Sequence, residues 1–278
     1  MSYENYQPKG YRALPEVVKN LLIINVIMYL ATLVLRQQGI DLIDLLGLHY
    51  FASEKFKVYQ IFTYMFLHDS GSIMHILLNM LALYMFGSAV ENVWGGKKFL
   101  KFYLLTGLGA AVAHYAIVYF QLNPEISFFN SYINANSSEE MTSLLTNEAF
   151  KYPYSTQFFE FIKSNNLSTS ESISYASQIR TQLLNAPVII GASGAVYGVL
   201  LGYGMLFPNS LLYLFFAIPV KAKYVVVLYG IIELFSGISG GGNVAHFAHL
   251  GGLLTGIVII LIWRNKSKRN SGDFYNPS

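Results

Sequence analysis

Apolar runs close to twenty residues long alternate with short polar joints along the chain. The runs lie at 17–36, 72–93, 99–121, 187–207, 222–238 and 244–263. A helix needs about 20 apolar residues to cross a hydrocarbon core, so the pattern predicts six membrane-spanning helices. The fifth run is the shortest and holds one acid, Glu233. A long polar stretch, 122–186, rich in Ser, Asn, Glu and Tyr, separates the third run from the fourth. Within it, Ser137 and Glu140 stand at the spacing of a helix capping box, as do Ser168 and Glu171. Ile173, Ala176, Ile179 and Leu183 then mark an apolar stripe at helical period. The expected fold is an all-α, polytopic bundle of six spans with a polar helical insertion on the outer side. Its parts are an N-terminal segment (1–16), a membrane domain (17–263) that contains the insertion (122–186), and a C-terminal tail (264–278).

Charge orients the spans. Lys9, Arg12 and Lys19 flank the start of the first run, and Lys97, Lys98 and Lys101 sit between the second and third. Lys221 and Lys223 precede the fifth, and Arg264, Lys266, Lys268 and Arg269 follow the sixth. With six spans these groups share one side, which places both termini in the cytoplasm. Lys55 and Lys57 are the exceptions. Composition agrees: the 278 residues are 54% hydrophobic and only 12% charged, against roughly 25% charged in a soluble domain. The net charge of +3 and the lack of a basic, aromatic-studded patch give no sign of nucleic-acid binding. With no cysteine, thiolate chemistry, disulfides and Cys-based metal centres are excluded. The polar N-terminus has neither a secretory signal nor an Arg-rich transit segment, which gives the expectation of a bacterial plasma membrane.

Polar residues inside apolar spans cost free energy unless partnered, and are candidates for function. Ser193 opens a run of small residues, with Gly194, Gly198 and Gly202 following at spacing four. Ala248, Gly252 and Gly256 form a similar strip in the sixth run, next to His249. Two spans running the same way can pack small face against small face, which brings hydroxyl and imidazole to one depth. Neutral imidazole is a suitable base for a serine nucleophile. In the second run His75 and Asn79 lie four apart on one helical face. Their N–H groups, with the backbone N–H of Ser193 at a helix start, are suitable donors to an oxyanion.

These residues resemble the rhomboid family of intramembrane serine proteases. The resemblance is carried by "HILLN" in the second run, "GASGAVYG" in the fourth and "AHLGGLLTG" in the sixth, in that order. It covers 17–263 apart from the insertion. It implies Ser193 as nucleophile and His249 as general base, a dyad with no carboxylate third member. It implies His75 and Asn79 as the oxyanion pair, helped by the Ser193 amide, and Tyr197 as the aromatic packed on the imidazole. Gly191 and Gly194 complete a GxSG pattern, Gly252 and Gly256 support the helix contact, and Glu91 matches a structural glutamate. The implied substrates are single-span membrane proteins with small residues near the cut and a helix that unwinds easily. The implied partners are these substrates and membrane lipid.

The same residues allow other chemistries. His246 and His249, three apart, can bind a metal together, with His68 and His75 as further ligands. No HExxH is present and no carboxylate adjoins His246 or His249 in sequence, so neither metal nor cofactor is expected. His246 is expected near the outer surface, bonded to water, and His68 at the interface. His114 is expected as a packing residue and Glu233 in a bland interfacial role. A transporter would show paired repeats with broken helices, which the chain lacks. The alternative class is an inactive rhomboid-like protein that binds transmembrane helices for retention or degradation.

Overall fold

A computed structural model describes residues 10–214, 217–239 and 245–272. Lys9 and the last residues of the expected tail lie outside the described residues. The first helix, α1 (Glu16–Gln37), starts where the buried Glu91 carboxylate accepts the backbone N–H groups of Val17 at 3.0 Å and Val18 at 2.8 Å. A helix start leaves four N–H groups without helical partners, and an anion there also meets the positive end of the helix dipole. Glu91 itself sits near the end of α2 (Ile73–Trp94), which carries one π-helical turn over Leu83–Gly87. Gly95, at φ +77°, then reverses the chain into α3 (Gly96–Ile133).

The α3 helix does not stop at 121, where the third run ends. It continues through Pro124 to Ile133. Proline removes a helical hydrogen bond, yet the extension persists because it is the core of the inserted segment. Phe128, Phe129 and Tyr132 of α3 pack with Met141, Phe158, Ala176 and Leu183 from α4 (Ser138–Asn147), α5 (Pro153–Ser164) and α6 (Thr169–Asn185). Buried Glu125 accepts the N–H groups of Tyr154 at 2.8 Å and Ser155 at 3.0 Å, and so caps the start of α5. Ser168 and Glu171 form a reciprocal capping box on α6. At Ser137 only half of the expected box forms. Its Oγ accepts from the Glu140 N–H, whereas the Glu140 side chain accepts from Asn136 instead.

The fourth run, 187–207, is not one helix. Val188–Ile189 (β2) pairs antiparallel with Leu48–His49 (β1), and the helix α7 begins only at Ser193 and ends at Leu206. A hairpin of β3 (Leu211–Leu214) and β4 (Ile218–Lys221) leads into α8 (Ala222–Ile238), and α9 (Ala245–Gly272) completes the described chain. Among the described residues, four helices are long and apolar enough to cross a membrane: α1, α2, α3 and α9 up to Lys266. At 1.5 Å per residue, the 14 residues of α7 reach ~21 Å and the 17 of α8 ~26 Å, short of a ~30 Å hydrocarbon layer. Outward faces are apolar: Ile23, Ile27, Leu30 and Val34 of α1 and Val227, Ile231, Phe235 and Ile238 of α8 are all exposed. A continuous apolar exterior of this kind suits contact with lipid tails.

The centre of the bundle is a three-helix contact of α3, α7 and α9, and glycines set its spacing. The two small-residue strips do not meet face to face. The α9 strip faces the backbone of α7, because a Cβ on Gly252 would stand 2.0 Å from the Gly194 carbonyl oxygen. The α7 strip turns instead toward α3: a Cβ on Gly194 would meet Ala110 at 2.4 Å, and one on Gly198 would meet Thr106 at 2.5 Å. Opposite sides of one thin helix are therefore used for two close contacts. Gly252→Ala forces backbones apart and is expected to cost about 1–3 kcal/mol. Gly230→Ala, whose new methyl meets only Leu253 at 3.7 Å, is the control. Thermal unfolding in detergent should show a lowered midpoint for the first alone; equal midpoints would refute the close contact.

Candidate active site

The serine is presented by an abrupt change of backbone. The β1–β2 pair fixes Val188 and Ile189, and Tyr115 on α3 donates its hydroxyl to the His49 carbonyl in β1. Gly191 then takes φ +119°, a conformation that side-chain-bearing residues rarely adopt, and donates its N–H to the Tyr64 carbonyl at 3.0 Å. Two residues later α7 starts at Ser193. Its N–H is one of the four at a helix start that lack a helical partner, so hydroxyl and amide of one residue border the same space.

On α9, His249 places Nε2 2.8 Å from Ser193 Oγ. The close backbone approach of Gly252 to Gly194 allows this distance. Tyr197, one turn beyond the serine, stacks on the imidazole with ring centroids 4.3 Å apart and planes 6° from parallel. The ring therefore has its plane fixed by Tyr197 and one nitrogen fixed by Ser193.

His75 and Asn79 lie on the first turns of α2. A Cβ built on Gly191 would stand 3.5 Å from Ser193 Oγ and 3.9 Å from His75 Cε1, so the serine and His75 border the same side of Gly191. Asn79 is buried, and its Nδ2 donates to the His75 carbonyl within its own helix at 2.9 Å. One of its two amide protons is thus already used, and the second is the donor it has to offer. His68 is fully buried within the protein, with its ring edge-on to His75 at 5.5 Å. The loop before α2 folds inward there, which sequence position alone does not show. His114 on α3 is buried.

The larger departure concerns Glu233. It is 5% exposed and partnered by three side chains rather than bland. One carboxylate oxygen accepts the Tyr197 hydroxyl, and the other lies 2.6 Å from His246 Nδ1 and 3.1 Å from His249 Nδ1. His246 is therefore bonded to a protein carboxylate rather than to water alone. The antiparallel packing of α8 on α9 produces this cluster, and the thirteen residues between Glu233 and His246 hide it in sequence. A signal was present: Glu233 is the one acid in the last two runs, and an ionisable residue inside a span calls for a partner. Glu233, His246 and His249 each place a possible ligand atom within 4.8 Å of the others, which corrects the expectation of histidines without a neighbouring carboxylate. Two ligands at about 2.0–2.1 Å from a tetrahedral zinc stand more than ~3 Å apart, so the 2.6 Å contact is a hydrogen bond.

Apolar helices around a serine–imidazole pair define an integral membrane protein with a polar site inside its bundle. The chain belongs to the rhomboid family: the Rhomboid domain matches residues 55–122 and 163–266. Residues 123–162, the larger part of the polar insertion, lie outside that match. An uncharacterized mitochondrial rhomboid protein of Schizosaccharomyces pombe is 28% identical over 215 residues, covering 70% of this chain and 50% of that protein. The chain therefore spans about half the length of the curated relative it matches. A mitochondrial relative lends nothing to the expected bacterial plasma membrane.

The backbone at Gly191 is the piece most open to direct test. Alanine there must adopt a strained conformation that costs about 1–3 kcal/mol. Gly191→Ala should lower the unfolding midpoint of the purified protein; an unchanged midpoint would show that the turn does not need glycine.

Proposed function

We propose that the chain is an intramembrane serine protease that hydrolyses peptide bonds in or beside transmembrane segments. The single observation that carries this reading is the 2.8 Å contact between Ser193 Oγ and His249 Nε2, within a helical membrane bundle. Ser193 Oγ attacks the substrate carbonyl while His249 Nε2 takes its proton. The oxyanion forms toward the Ser193 N–H, His75 and the remaining Asn79 proton. His249 then gives its proton to the leaving amine. Water, deprotonated by the same imidazole, releases the acyl group and restores the serine.

The six-span reading counts α7 and α8 with the four longer helices. If the C-terminal end of α7 reaches one membrane face, its ~21 Å length leaves Ser193 about 10 Å below the other. Lys97, Lys98 and Lys101 share a cavity of about 370 Å³ with Trp263 and Lys266. That places the basic α2–α3 joint and the end of α9 together, which supports a cytoplasmic assignment for this end. The serine and the insertion are then both on the outer side. Substrates are single-span membrane proteins whose helix unwinds easily near small residues.

The test is cleavage of a transmembrane substrate by purified protein in lipid vesicles. Ser193→Ala and His249→Ala should each reduce hydrolysis to background while the protein stays folded. Asn79→Ala, which removes one of several donors, should lower kcat by about 10²–10³-fold. Cleavage retained by folded Ser193→Ala would refute the assignment. A wild-type protein that binds the helix without cutting it would instead be an inactive rhomboid-like binder.

A further inference from the structure

A serine–imidazole dyad leaves the second ring nitrogen of the histidine without a defined partner. Here that nitrogen, His249 Nδ1, is buried and makes no hydrogen bond of good geometry. Glu233 Oε2 stands 3.1 Å from it, off the line of an Nδ1–H. Buried polar atoms in native proteins are nearly always satisfied, and contacts in unliganded sites often tighten only when substrate binds. The carboxylate is well placed to tighten. It is 5% exposed and held at both ends, by the Tyr197 hydroxyl on one oxygen and by His246 Nδ1 at 2.6 Å on the other. Tyr197 also stacks on the ring that the carboxylate approaches. Three helices, α7, α8 and α9, thus converge on one imidazole.

We propose that Glu233 is a positioning residue for His249. Its carboxylate keeps the proton of neutral His249 on Nδ1, so that the Nε2 lone pair faces Ser193, and it balances the imidazolium formed as Ser193 attacks the carbonyl. The proposal rests on the protease reading for its kinetic consequence, but the tautomer it assigns belongs to the resting protein. His246 and Tyr197 act one step further out, fixing the carboxylate. The serine proton moves only to His249 Nε2, and Glu233 remains ionised throughout, which is the role a buried acid plays behind a histidine base.

The experiment compares wild type, Glu233→Gln, Glu233→Asp and Ser193→Ala, all full length in detergent. Each is checked for an unfolding midpoint within a few degrees of wild type. Against a transmembrane substrate, Glu233→Gln should lower kcat by about 10²-fold or more, with KM within twofold. Glu233→Asp should recover part of that loss, because it restores the charge. In parallel, NMR of ¹⁵N-histidine-labelled protein reads the His249 ring, identified by its loss in His249→Ala. The Nδ1–H tautomer should be found in wild type and in Ser193→Ala, with its proton signal displaced in Glu233→Gln. An unchanged kcat in folded Glu233→Gln, or a fall shared equally by KM, overturns the proposal. So does a His249 proton on Nε2, or a signal indifferent to the substitution. If wild type cuts nothing yet the Nδ1–H signal responds to Glu233, the protease reading fails and the positioning role stands. If the Glu233→Gln variant unfolds, the decision falls to Glu233→Asp. A tautomer and kcat close to wild type in that variant support the role, and a lost tautomer with intact kcat refutes it.

Discussion

The backbones of α7 and α9 meet where Gly252 packs against the Gly194 carbonyl, and the arrangement of the site depends on that contact. No side chain larger than hydrogen fits at Gly252 without parting the helices. With the axes this close, a residue at the start of α7 and one three positions before Gly252 on α9 come within hydrogen-bond reach, and these are Ser193 and His249. In lipid, helix association gains little from hydrophobic burial, so close packing of small residues and interhelical hydrogen bonds carry more of the load. The same geometry that stabilises the bundle therefore also brings a base to a hydroxyl.

Much of this was legible in the sequence because the signals were local. The period of four in Gly194, Gly198 and Gly202, and the small strip around Gly252, announced close packing. The serine, the histidines and Asn79 stood out as polar residues in apolar runs. Signals that depend on the third dimension are not carried by the sequence pattern. The α7 glycines turn toward α3 rather than α9, because a helix so thin can be approached from two sides. The fourth run looked continuous, since Val188 and Ile189 suit a strand and a span equally; only their pairing with Leu48 and His49 decides. The third run seemed to end at 121 because polarity rises there, yet the helix persists through Pro124 on the strength of aromatic contacts made beyond it.

Glu233 is the clearest case of a residue whose need for a partner is visible in one dimension while the partners are not. Its partners come from two other helices, and nothing near it in sequence hints at them. Once α8 packs beside α9, the carboxylate lies against both His246 and His249 and beneath the Tyr197 hydroxyl. A buried charge is tolerated where it is paired and hydrogen-bonded, and this one has several donors around it. The inserted helices follow another logic. They build their own aromatic core on the extension of α3 and use buried Glu125 as a helix cap. Residues 123–162, which carry α4 and most of α5, fall outside the family match, whereas α6 lies within it.

The central claim is that His249 makes the Ser193 hydroxyl nucleophilic inside the bundle. Intact-protein mass spectrometry after exposure to a fluorophosphonate measures this most directly, because it needs no knowledge of the substrate. The account predicts one covalent adduct, mapped to Ser193, formed by the wild-type protein and lost in a folded His249→Ala variant. An adduct formed equally fast without His249, or none on Ser193 in the folded wild-type protein, would contradict it.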